Sequence, residues 1–568
     1  MEAWMNDVPS AVRSSQRQLR TGVPELSRRF AQLTEALNDE VSAIRAEQAQ
    51  GGAVPELRYA DIVAGMVSNA QIARIKRRGC VVIRHVFDVA MIEGWNESIG
   101  RYIEDVHYLQ RVSEKAGLDK YFSALGSSRP QIFSLYWSPA QMQARQHVNL
   151  AETRRWLNHL WTFEKHGTRY FDPDRQFNYA DRTRRRVPGD ATLGLSPHSD
   201  GGSVERWCEP TFRHVYREVF QGDPLAFDPF DAEGRTATRE IPSPAVCSAF
   251  RTFQGWTALT RQGPGDGTLK LVPIAKTTPW MLLRALQPDV PDGDLCGAQP
   301  GRALGAALPW HAELLAGLVS IPQVGPGDTV WWHSDVIHAV EDQHSGDGFS
   351  NVIYIGAAPW CNKNAAFAER QAAAFLTGRS SPDFAPEDYE LEFDGRARRD
   401  DLPARPDADG AAALVLSTPC PHRRRPTSET PRFCSATSAT RCLSTTGVAW
   451  IRAAASSIFS RTTARSTTGR RVIWSAARAS SSTTRWRSAA SAIAPTRMAR
   501  ATACAFCSRR MRSPKAATHG SCAGTVGARP CKTPPTTATD WPSCCWRKRM
   551  RCWPGSTKRV PTWRRRSR

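Results

Sequence analysis

The sequence predicts an α+β protein with a mainly β core, flanked by helices and followed by a disordered tail. Three observations support this prediction: short apolar runs bounded by Gly or Pro, amphipathic segments at helical spacing, and an abrupt change of composition near residue 410. Short strands with such boundaries favour an antiparallel sandwich or barrel over alternating βα units. We therefore expect an N-terminal helical segment over residues 1–54, a β-rich domain over 55–405 and a tail over 411–568.

The N-terminal segment is expected to contain a long amphipathic helix. Over residues 24–48, apolar side chains recur at spacings of three and four, which places them on one helix face. Gly51 and Gly52 then interrupt the pattern. Residues 77–87 are apolar and β-branched and predict a buried strand, and residues 88–106 predict a second helix.

The rest of the β-rich domain contains one further helical pattern and several strand candidates. Residues 140–163 are again helical in pattern, and residues 177–190 end in a turn signal. Residues 245–276 contain two strand-like runs joined by a Gly-rich loop. Residues 320–334 and 348–360 are the next candidates, and each is bounded by Gly or Pro.

The tail has a different chemistry from the rest of the chain. Residues 411–568 contain 31 Lys and Arg against 2 Asp and Glu, so the formal charge of +22 originates there. Only 12 Ile, Leu, Val or Phe lie between Thr418 and Arg568, which is too few for a core. We expect disorder, and we hypothesise that a frameshift produced this composition. The alternative to the frameshift is a basic arm that contacts nucleic acid through Arg and Trp. No specific nucleic-acid partner is expected.

Cysteine use and hydropathy indicate a cytoplasmic protein. Ten of the 15 cysteines lie in the tail and the other five are scattered singly, which is typical of reduced thiols. No window approaches about 18 uninterrupted apolar residues, so no membrane span is expected. A phosphate loop, a nucleophile elbow and a dinucleotide fingerprint are all missing from the sequence, which argues against those enzyme classes.

The triplet His-Ser-Asp occurs twice, and it raises the question of a metal site. Residues i and i+2 of a strand project from one face, so His198 and Asp200 can reach the same ion. Two His and one carboxylate are the ligands of non-haem Fe(II) oxygenases. By the same parity, His333 and His338 fall on opposite faces of a regular strand and cannot share an ion. A solvated surface turn is the alternative for a single His-x-Asp motif.

The second triplet lies in a segment that resembles a known family. The sequence GDTVWWHSDVIHAVED contains a Gly-Asp turn, an aromatic strand and then His338, eleven residues after Gly327. This order resembles the Fe(II)- and 2-oxoglutarate-dependent dioxygenases of the phytanoyl-CoA-hydroxylase type. Four segments together are more similar still to the YbiU-like domain-of-unknown-function family: SPHSDGGSVERW, FRTFQGWTAL, GDTVWWHSDVIHAV and NVIYIGAAPWCNKNAAFA.

The resemblance covers roughly residues 20–405 and has specific implications. It implies a double-stranded β-helix (jelly roll, cupin-like) and an iron site formed by His198, Asp200 and His338. It also implies an oxidoreductase that uses Fe(II), 2-oxoglutarate and O2 to oxidise a small molecule, with no settled substrate. A non-catalytic metal- or metabolite-binding protein on the same fold is the alternative.

One feature departs from the dioxygenase pattern. The resemblance implies an Arg about ten residues after the distal histidine, because a buried dicarboxylate needs a cationic partner. Residues 341–356 contain no Arg or Lys. Arg251 is the preferred substitute, although an exterior salt-bridging role is open for it, as is a solvated turn for the arginine-rich run. The candidates for co-substrate contact or for packing beside it are Arg251, Arg184, Arg186, Trp256 and Asn351.

Overall fold

The computed structural model describes residues 3–114, 130–191 and 196–401. The predicted tail over residues 411–568 lies outside these described residues, as does the boundary predicted at residue 405. Within the described ranges, no helix combines the length and hydropathy needed to cross a bilayer.

Helices surround the β core on several sides. Their ends follow local sequence signals: Ser68 and Gln71 form a reciprocal capping box, and Gly79 ends the same helix at a φ of 66°. The α-helices of the described ranges are Val8–Gly22, Leu26–Ala49, Tyr59–Val63, Asn69–Arg78, Val89–Asp105, Tyr108–Glu114, Pro139–Gln146, Val148–Asn158, Glu205–Cys208, Pro210–Val215, Arg217–Phe220, Thr277–Arg284, Ala312–Leu315 and Asn362–Thr377. Short 3-10 helices occur at Ala3–Asn6, Pro224–Ala226, Arg235–Ala237 and Arg399–Asp401.

The strands of the described ranges are short, with one exception. They are β1 (Glu56–Arg58), β2 (Cys80–Arg84), β3 (Ile132–Phe133), β4 (Glu164–Lys165), β5 (Thr168–Arg169), β6 (Asp172–Phe177), β7 (Thr183–Arg186), β8 (His198–Ser199), β9 (Phe253–Ala258), β10 (Leu269–Leu271), β11 (Leu304–Gly305), β12 (Val319–Ser320), β13 (Thr329–Trp332), β14 (His338–Val340) and β15 (Ser350–Trp360). β15 is the longest and pairs with β6, β7 and β9.

Two large sheets organise the part of the chain that the structure describes. The larger has the order β1-β2-β13-β9-β15-β7-β3, with β6 paired to the far end of β15. The smaller has the order β11-β8-β14-β10-β12. Within these two sheets only β1 and β2 pair in parallel, and every other pairing is antiparallel. The predicted mixed α and β architecture with large sheets is confirmed.

A hydrophobic cluster joins the two sheets. Trp256 and Val330 come from the larger sheet, and Leu269 and Leu271 come from the smaller one. The N-terminal helices pack elsewhere: the apolar face of Leu26–Ala49 joins a cluster with Trp280. The predicted helix over residues 24–48 is therefore present, and it is packed against the β-rich domain.

Several strands were not predicted, and β7 is the one among them that carries predicted site residues. The arginine-rich run that ends in a turn signal forms β7, which pairs with β15 and β3. Its alternative interpretation as a solvated turn is wrong, since Arg184 and Arg186 are both buried. The run of charged residues gives no sign of a strand in the sequence, because the groups that its buried arginines contact lie in distant parts of the chain.

Candidate functional site

Two histidines face each other across the smaller sheet. His198 of β8 and His338 of β14 are direct cross-strand partners, and their ring centroids are 4.3 Å apart. Nδ1 of His198 lies 2.6 Å from the carbonyl oxygen of Ser196, and Nδ1 of His338 lies 3.2 Å from that of Val336. Because a carbonyl oxygen only accepts hydrogen bonds, each Nδ1 carries the proton and donates a hydrogen bond. Each unprotonated Nε2 is therefore available as a metal ligand.

Asp200 completes a group of three metal-ligating side chains. Its Oδ1 lies 3.7 Å from Nε2 of His198, and the ligand atoms of Asp200, His198 and His338 all lie within 4.8 Å of one another. The structure thus brings together the three residues that the sequence predicts as ligands. Two imidazoles and a carboxylate suit a first-row divalent metal such as Fe(II).

Burial and charge set the protonation of this group. Burial alone would raise the pKa of the Asp200 carboxyl, but His338, His198 and Arg251 lower it below its usual value. Burial lowers the pKa of His338 to about 4, and the neighbouring His198 contributes to the same effect. At neutral pH Asp200 is therefore an anion and His338 a neutral imidazole, which are the forms that bind metals.

A cavity opens between the triad and the inner face of the larger sheet. Strand register explains which side chains line it: Trp256 lies opposite Tyr354 in one pairing and opposite Val330 in the next, and Arg184 lies opposite Val352. Even-numbered residues of these strands share one face. The cavity-lining residues on this face include Arg182, Arg184, Gln254, Trp256, Trp332 and Tyr354.

Several buried donors of the cavity wall have no acceptor among the described residues. They are Nε1 of Trp256, Nε1 of Trp332 and Nε of Arg184. Arg184 is 3% exposed, and its hydrogen bond to Ser350 Oγ is long, at 3.5 Å. Buried donors of this kind are costly unless a ligand supplies acceptors. All three groups donate only, so they match a ligand rich in carboxylate oxygens.

Arg251, the residue that the sequence-based prediction prefers for the co-substrate carboxylate, lies beside the triad. Its Nη2 is 3.6 Å from Asp200 Oδ2, and its guanidinium lies 5.1 Å from the centroid of the Tyr179 ring. It lines the cavity described above and also a second, more polar cavity on the other side of Asp200. The alternative of an exterior salt bridge does not hold, because the Arg251 side chain is buried.

Two predicted site residues do not reach the cavity. Nη1 of Arg186 donates to the carbonyl oxygens of Gly267 and Glu341, each at 2.9 Å, and burial lowers its pKa to about 10. Nδ2 of Asn351 donates to Oδ1 of Asn96 at 3.0 Å. Arg186 therefore joins loops together, and Asn351 contacts a helix outside the sheet. Neither residue lines either cavity beside the triad.

The second His-Ser-Asp triplet is buried away from the candidate ligands. Nε2 of His333 lies 2.9 Å from the carbonyl oxygen of Pro229, and Nδ1 accepts the backbone N–H of Asp335 at 3.0 Å. The His333 ring stacks on Trp161 with centroids 4.8 Å apart. Burial lowers the pKa of His333 to about 3. Both ring nitrogens of a neutral imidazole are thus occupied, which leaves neither for a metal.

Arg206 connects the two triplets. Its Nη1 donates to Asp335 Oδ1 at 3.0 Å, and its Nη2 donates to the backbone oxygen of Asp200 at 2.7 Å. Arg235 donates to the other oxygen of Asp335 at 2.8 Å. This role of Arg206 is not predictable from the sequence, because 129 residues separate it from Asp335 and no local pattern relates them.

Comparisons with known proteins identify the family of this chain. The uncharacterised protein YbiU of Escherichia coli K12 is 44% identical over 399 residues, which are 70% of this chain and 94% of YbiU. A crystal structure of a Salmonella typhimurium LT2 protein, provisionally named an oxidoreductase, is 40% identical with a TM-score of 0.67. The match covers 72% of this chain and 97% of that one.

A more distant relative extends the similarity to a fungus. The structure of GlcNAc Inducible Gene 2 (GIG2, DUF1479) from Candida albicans is 27% identical with a TM-score of 0.60, over 73% of this chain and 91% of that one. The Gig2-like family model matches residues 6–416, which include both cavities and the triad. The chain belongs to the Gig2-like family.

Proposed function

We propose that the protein is a non-haem Fe(II)- and 2-oxoglutarate-dependent dioxygenase that oxidises a small molecule. The observation that carries this proposal is the triad of His198, Asp200 and His338 at the end of a cavity, with both Nε2 atoms free to bind. We further propose that the two sheets form a double-stranded β-helix. Support comes from the path of the chain, which crosses repeatedly between the two sheets from β7 to β15, and from the cavity beside the triad.

The cavity wall fits the proposed co-substrate. We assign Arg184 to one carboxylate of 2-oxoglutarate, because its guanidinium is buried, lines the cavity and has an unpartnered Nε. The indole N–H groups of Trp256 and Trp332 supply further donors. The strand pairing places Arg184 beside Val352, on the strand where the expected arginine is missing. A cation on β7 thus substitutes for one on β15.

Iron in the triad would supply the oxidative chemistry. Overall, one oxygen atom of O2 enters succinate as 2-oxoglutarate loses CO2, and the other converts a substrate C–H bond to C–OH. The chain's own groups hold the metal, bind the co-substrate carboxylate and exclude water from the site. The neutral form of His338 and the anionic form of Asp200 make the triad ready for the metal at neutral pH.

The repeated triplet offers a matched experiment. Anaerobic Fe(II) affinity and release of labelled CO2 from [1-14C]2-oxoglutarate are measured for wild type, His198→Ala, His338→Ala and His333→Gln. We expect the first two variants to lose metal binding and CO2 release, since each removes a ligand. His333→Gln should keep the metal affinity, although it lowers stability. A His198→Ala protein with wild-type iron affinity and turnover would contradict the proposal.

Anaerobic binding of 2-oxoglutarate to the Fe(II)-loaded wild type separates the alternative function. A non-catalytic metal- or metabolite-binding protein is favoured by the absence of Arg and Lys from residues 341–356. Such a protein would retain Fe(II) in the wild type without binding 2-oxoglutarate. Nucleic-acid binding by the tail concerns residues outside those described, and binding that is sensitive to salt and present only in the full chain would support it.

A further inference from the structure

We propose that Arg251 binds an anionic group of the substrate, so that the substrate is an organic acid. This inference rests on the proposed function, because it names the substrate class of that same site. The feature that points to it is a buried guanidinium that faces two connected cavities without a hydrogen-bonded partner. Four residues line both cavities and mark their junction: Asp200, Cys247, Arg251 and Gln254.

The guanidinium of Arg251 is buried and poorly satisfied. Its side chain is 7% exposed, and the nearest carboxylate oxygen, Asp200 Oδ2, is 3.6 Å away, beyond hydrogen-bond length. It forms no hydrogen bond with the described part of the chain. A guanidinium carries five N–H donors in a fork that matches a carboxylate. Because Arg251 lines both cavities, a bound oxyanion would supply acceptors for these donors.

The surroundings hold Arg251 in one position. Its guanidinium packs over the Tyr179 ring, and the Tyr179 hydroxyl donates to Asp383 Oδ2 at 2.8 Å. On the other side, Gly356 leaves room for the arginine, because a Cβ there would come within 3.1 Å of Arg251 Cδ. A cation fixed in this way loses little conformational freedom when a ligand binds.

Charge pairing in the second cavity singles out the same residue. Three other cations line it, and each has a hydrogen-bonded carboxylate: Arg206 and Arg235 with Asp335, and Lys363 with Glu240. Arg251 has no hydrogen-bonded carboxylate: Asp200, the proposed metal ligand, is 3.6 Å away, and Asp181 and Asp383 act on it only as neighbouring charges. Once the metal takes the Asp200 carboxylate, Arg251 is the cation among these four that lacks a hydrogen-bonded carboxylate.

The co-substrate does not account for Arg251. One end of 2-oxoglutarate is assigned to the metal and the other to Arg184 on β7, which leaves a second guanidinium beside the metal ligand. A substrate acid bound at Arg251 would extend from the junction of the cavities and place its neighbouring carbon atoms beside the triad. The chemistry therefore favours a molecule with a carboxylate over a neutral one.

Capture of metabolites by the full chain tests this inference. A bacterial metabolite extract is separated on an anion exchanger into a retained pool and a flow-through pool. Each pool is passed over immobilised protein loaded with Co(II), with and without 2-oxoglutarate, and bound compounds are identified by mass spectrometry. We expect wild type to capture acids from the retained pool. The amount of acid captured by Arg251→Gln should be lower by about 10-fold or more, because this variant loses charge-assisted hydrogen bonds. Arg251→Lys, which keeps the charge without the fork, should fall between the two.

Two glycine substitutions test the inference without removing the cation: one changes the position of Arg251, and the other is its matched control. Gly356→Ala should weaken capture of the same acids several-fold, because the new Cβ displaces Arg251. Gly348→Ala should not, since a Cβ there has no neighbour within 4 Å. Capture of neutral compounds only, or equal capture of the acids by Arg251→Gln, would overturn the inference. Failure of Co(II)-loaded wild type to retain 2-oxoglutarate would instead contradict the proposed function, while the arm without 2-oxoglutarate still reports on Arg251.

Discussion

The histidines of this protein differ in how their ring nitrogens are used. His198 and His338 each direct only Nδ1 to a backbone carbonyl, whereas His333 uses both nitrogens within the protein. Identical letters in the two His-Ser-Asp triplets therefore have different chemistry. The prediction that one regular strand carries both His333 and His338 is wrong: β13 of the larger sheet ends at Trp332, and β14 of the smaller sheet begins at His338. A turn between the two sheets, and not strand parity, separates the two histidines.

Arg184 gives the first prediction at this scale. Arg184→Gln should weaken 2-oxoglutarate binding about 10-fold or more, because it removes a charge-assisted pair with a carboxylate. Its effect on Fe(II) affinity should be small, since no metal-ligating atom contacts it. Equilibrium binding of 2-oxoglutarate to the Co(II)-loaded protein measures the difference. Arg186→Gln is the control, because this equally buried arginine does not line the cavity. An unchanged affinity in Arg184→Gln would refute the assignment.

His333 gives a prediction about acid stability. Its folded pKa of about 3 lies below the ordinary value of 6.5, so the unfolded state binds more protons between these pH values. Its contribution is fully present above pH 6.5 and is lost as the pH falls towards 3. We expect His333→Gln to flatten the pH dependence of the unfolding free energy by about 1 kcal/mol per pH unit in this window.

Urea unfolding of the metal-free protein at several pH values between 6.5 and 4.5 measures this slope. The control is His159→Gln, which removes an exposed histidine whose Nε2 pairs with Asp174. A parallel shift of the His333→Gln curve, without a change of slope, would contradict the prediction.

At the scale of elements, short strands place the site and a buried ion network fixes it. β8 and β14 bring the two histidines together, and the turn after β8 carries Asp200. Arg206, from the short helix Glu205–Cys208, holds the backbone of this turn through the oxygens of Asp200 and Gly202. Asp335 orients Arg206, so the second triplet acts on the first through one guanidinium.

This link predicts a positioning effect of Arg206 on the metal. Arg206→Gln should lower Fe(II) or Co(II) affinity about 10-fold or more, because outer partners of ligands tune affinity to that extent. Arg206→Lys should restore part of it. Amide hydrogen exchange at residues 198–202 should also become faster in Arg206→Gln, which reports the freed backbone directly.

Arg78→Gln is a matched control for this prediction. Arg78 is as deeply buried and pairs with Glu40 and Glu47, but it lines neither cavity beside the triad. We expect this variant to lose stability and to keep its metal affinity. Equal metal affinities in the two glutamine variants would show that Arg206 has a structural role only.

At the scale of the whole molecule, the proposed chemistry needs only the described part of the chain. The N-terminal helices pack against the β-rich domain, and both cavities are built from residues between 132 and 384. We therefore expect a chain that ends at residue 405 to bind Fe(II) as tightly as the full chain. Anaerobic titration of both proteins measures this. A truncated chain that folds but binds no metal would contradict the expectation.

The composition of residues 411–568 gives a prediction at the level of the gene. If a frameshift produced this segment, one of the other two reading frames should encode a continuation with hydrophobic patterning and acidic residues. Sequencing this region and translating all three frames provides the test. Two unpatterned alternative frames would rule out the frameshift hypothesis.

The sequence by itself determined the pair of His198 and Asp200 through their local spacing, and the resemblance to the dioxygenases implied His338 after the Gly-Asp turn and apolar strand. Several of the strands around them also follow from local pattern. The helices Leu26–Ala49 and Val89–Asp105, the strands β2, β9, β13 and β15 and the antiparallel preference follow from periodicity and punctuation.

Only the tertiary structure decided which arginines face the site. Arg184, Arg186, Arg206 and Arg251 look alike in the sequence, yet each meets a different environment. Arg184 and Arg251 line the cavity beside the triad, whereas Arg186 and Arg206 donate to backbone oxygens and do not line it. The physical reason is that the role of a guanidinium depends on the groups it contacts, and these groups lie far away along the chain. Strand register and burial, which no local pattern encodes, therefore separate an arginine that lines the cavity from one that does not.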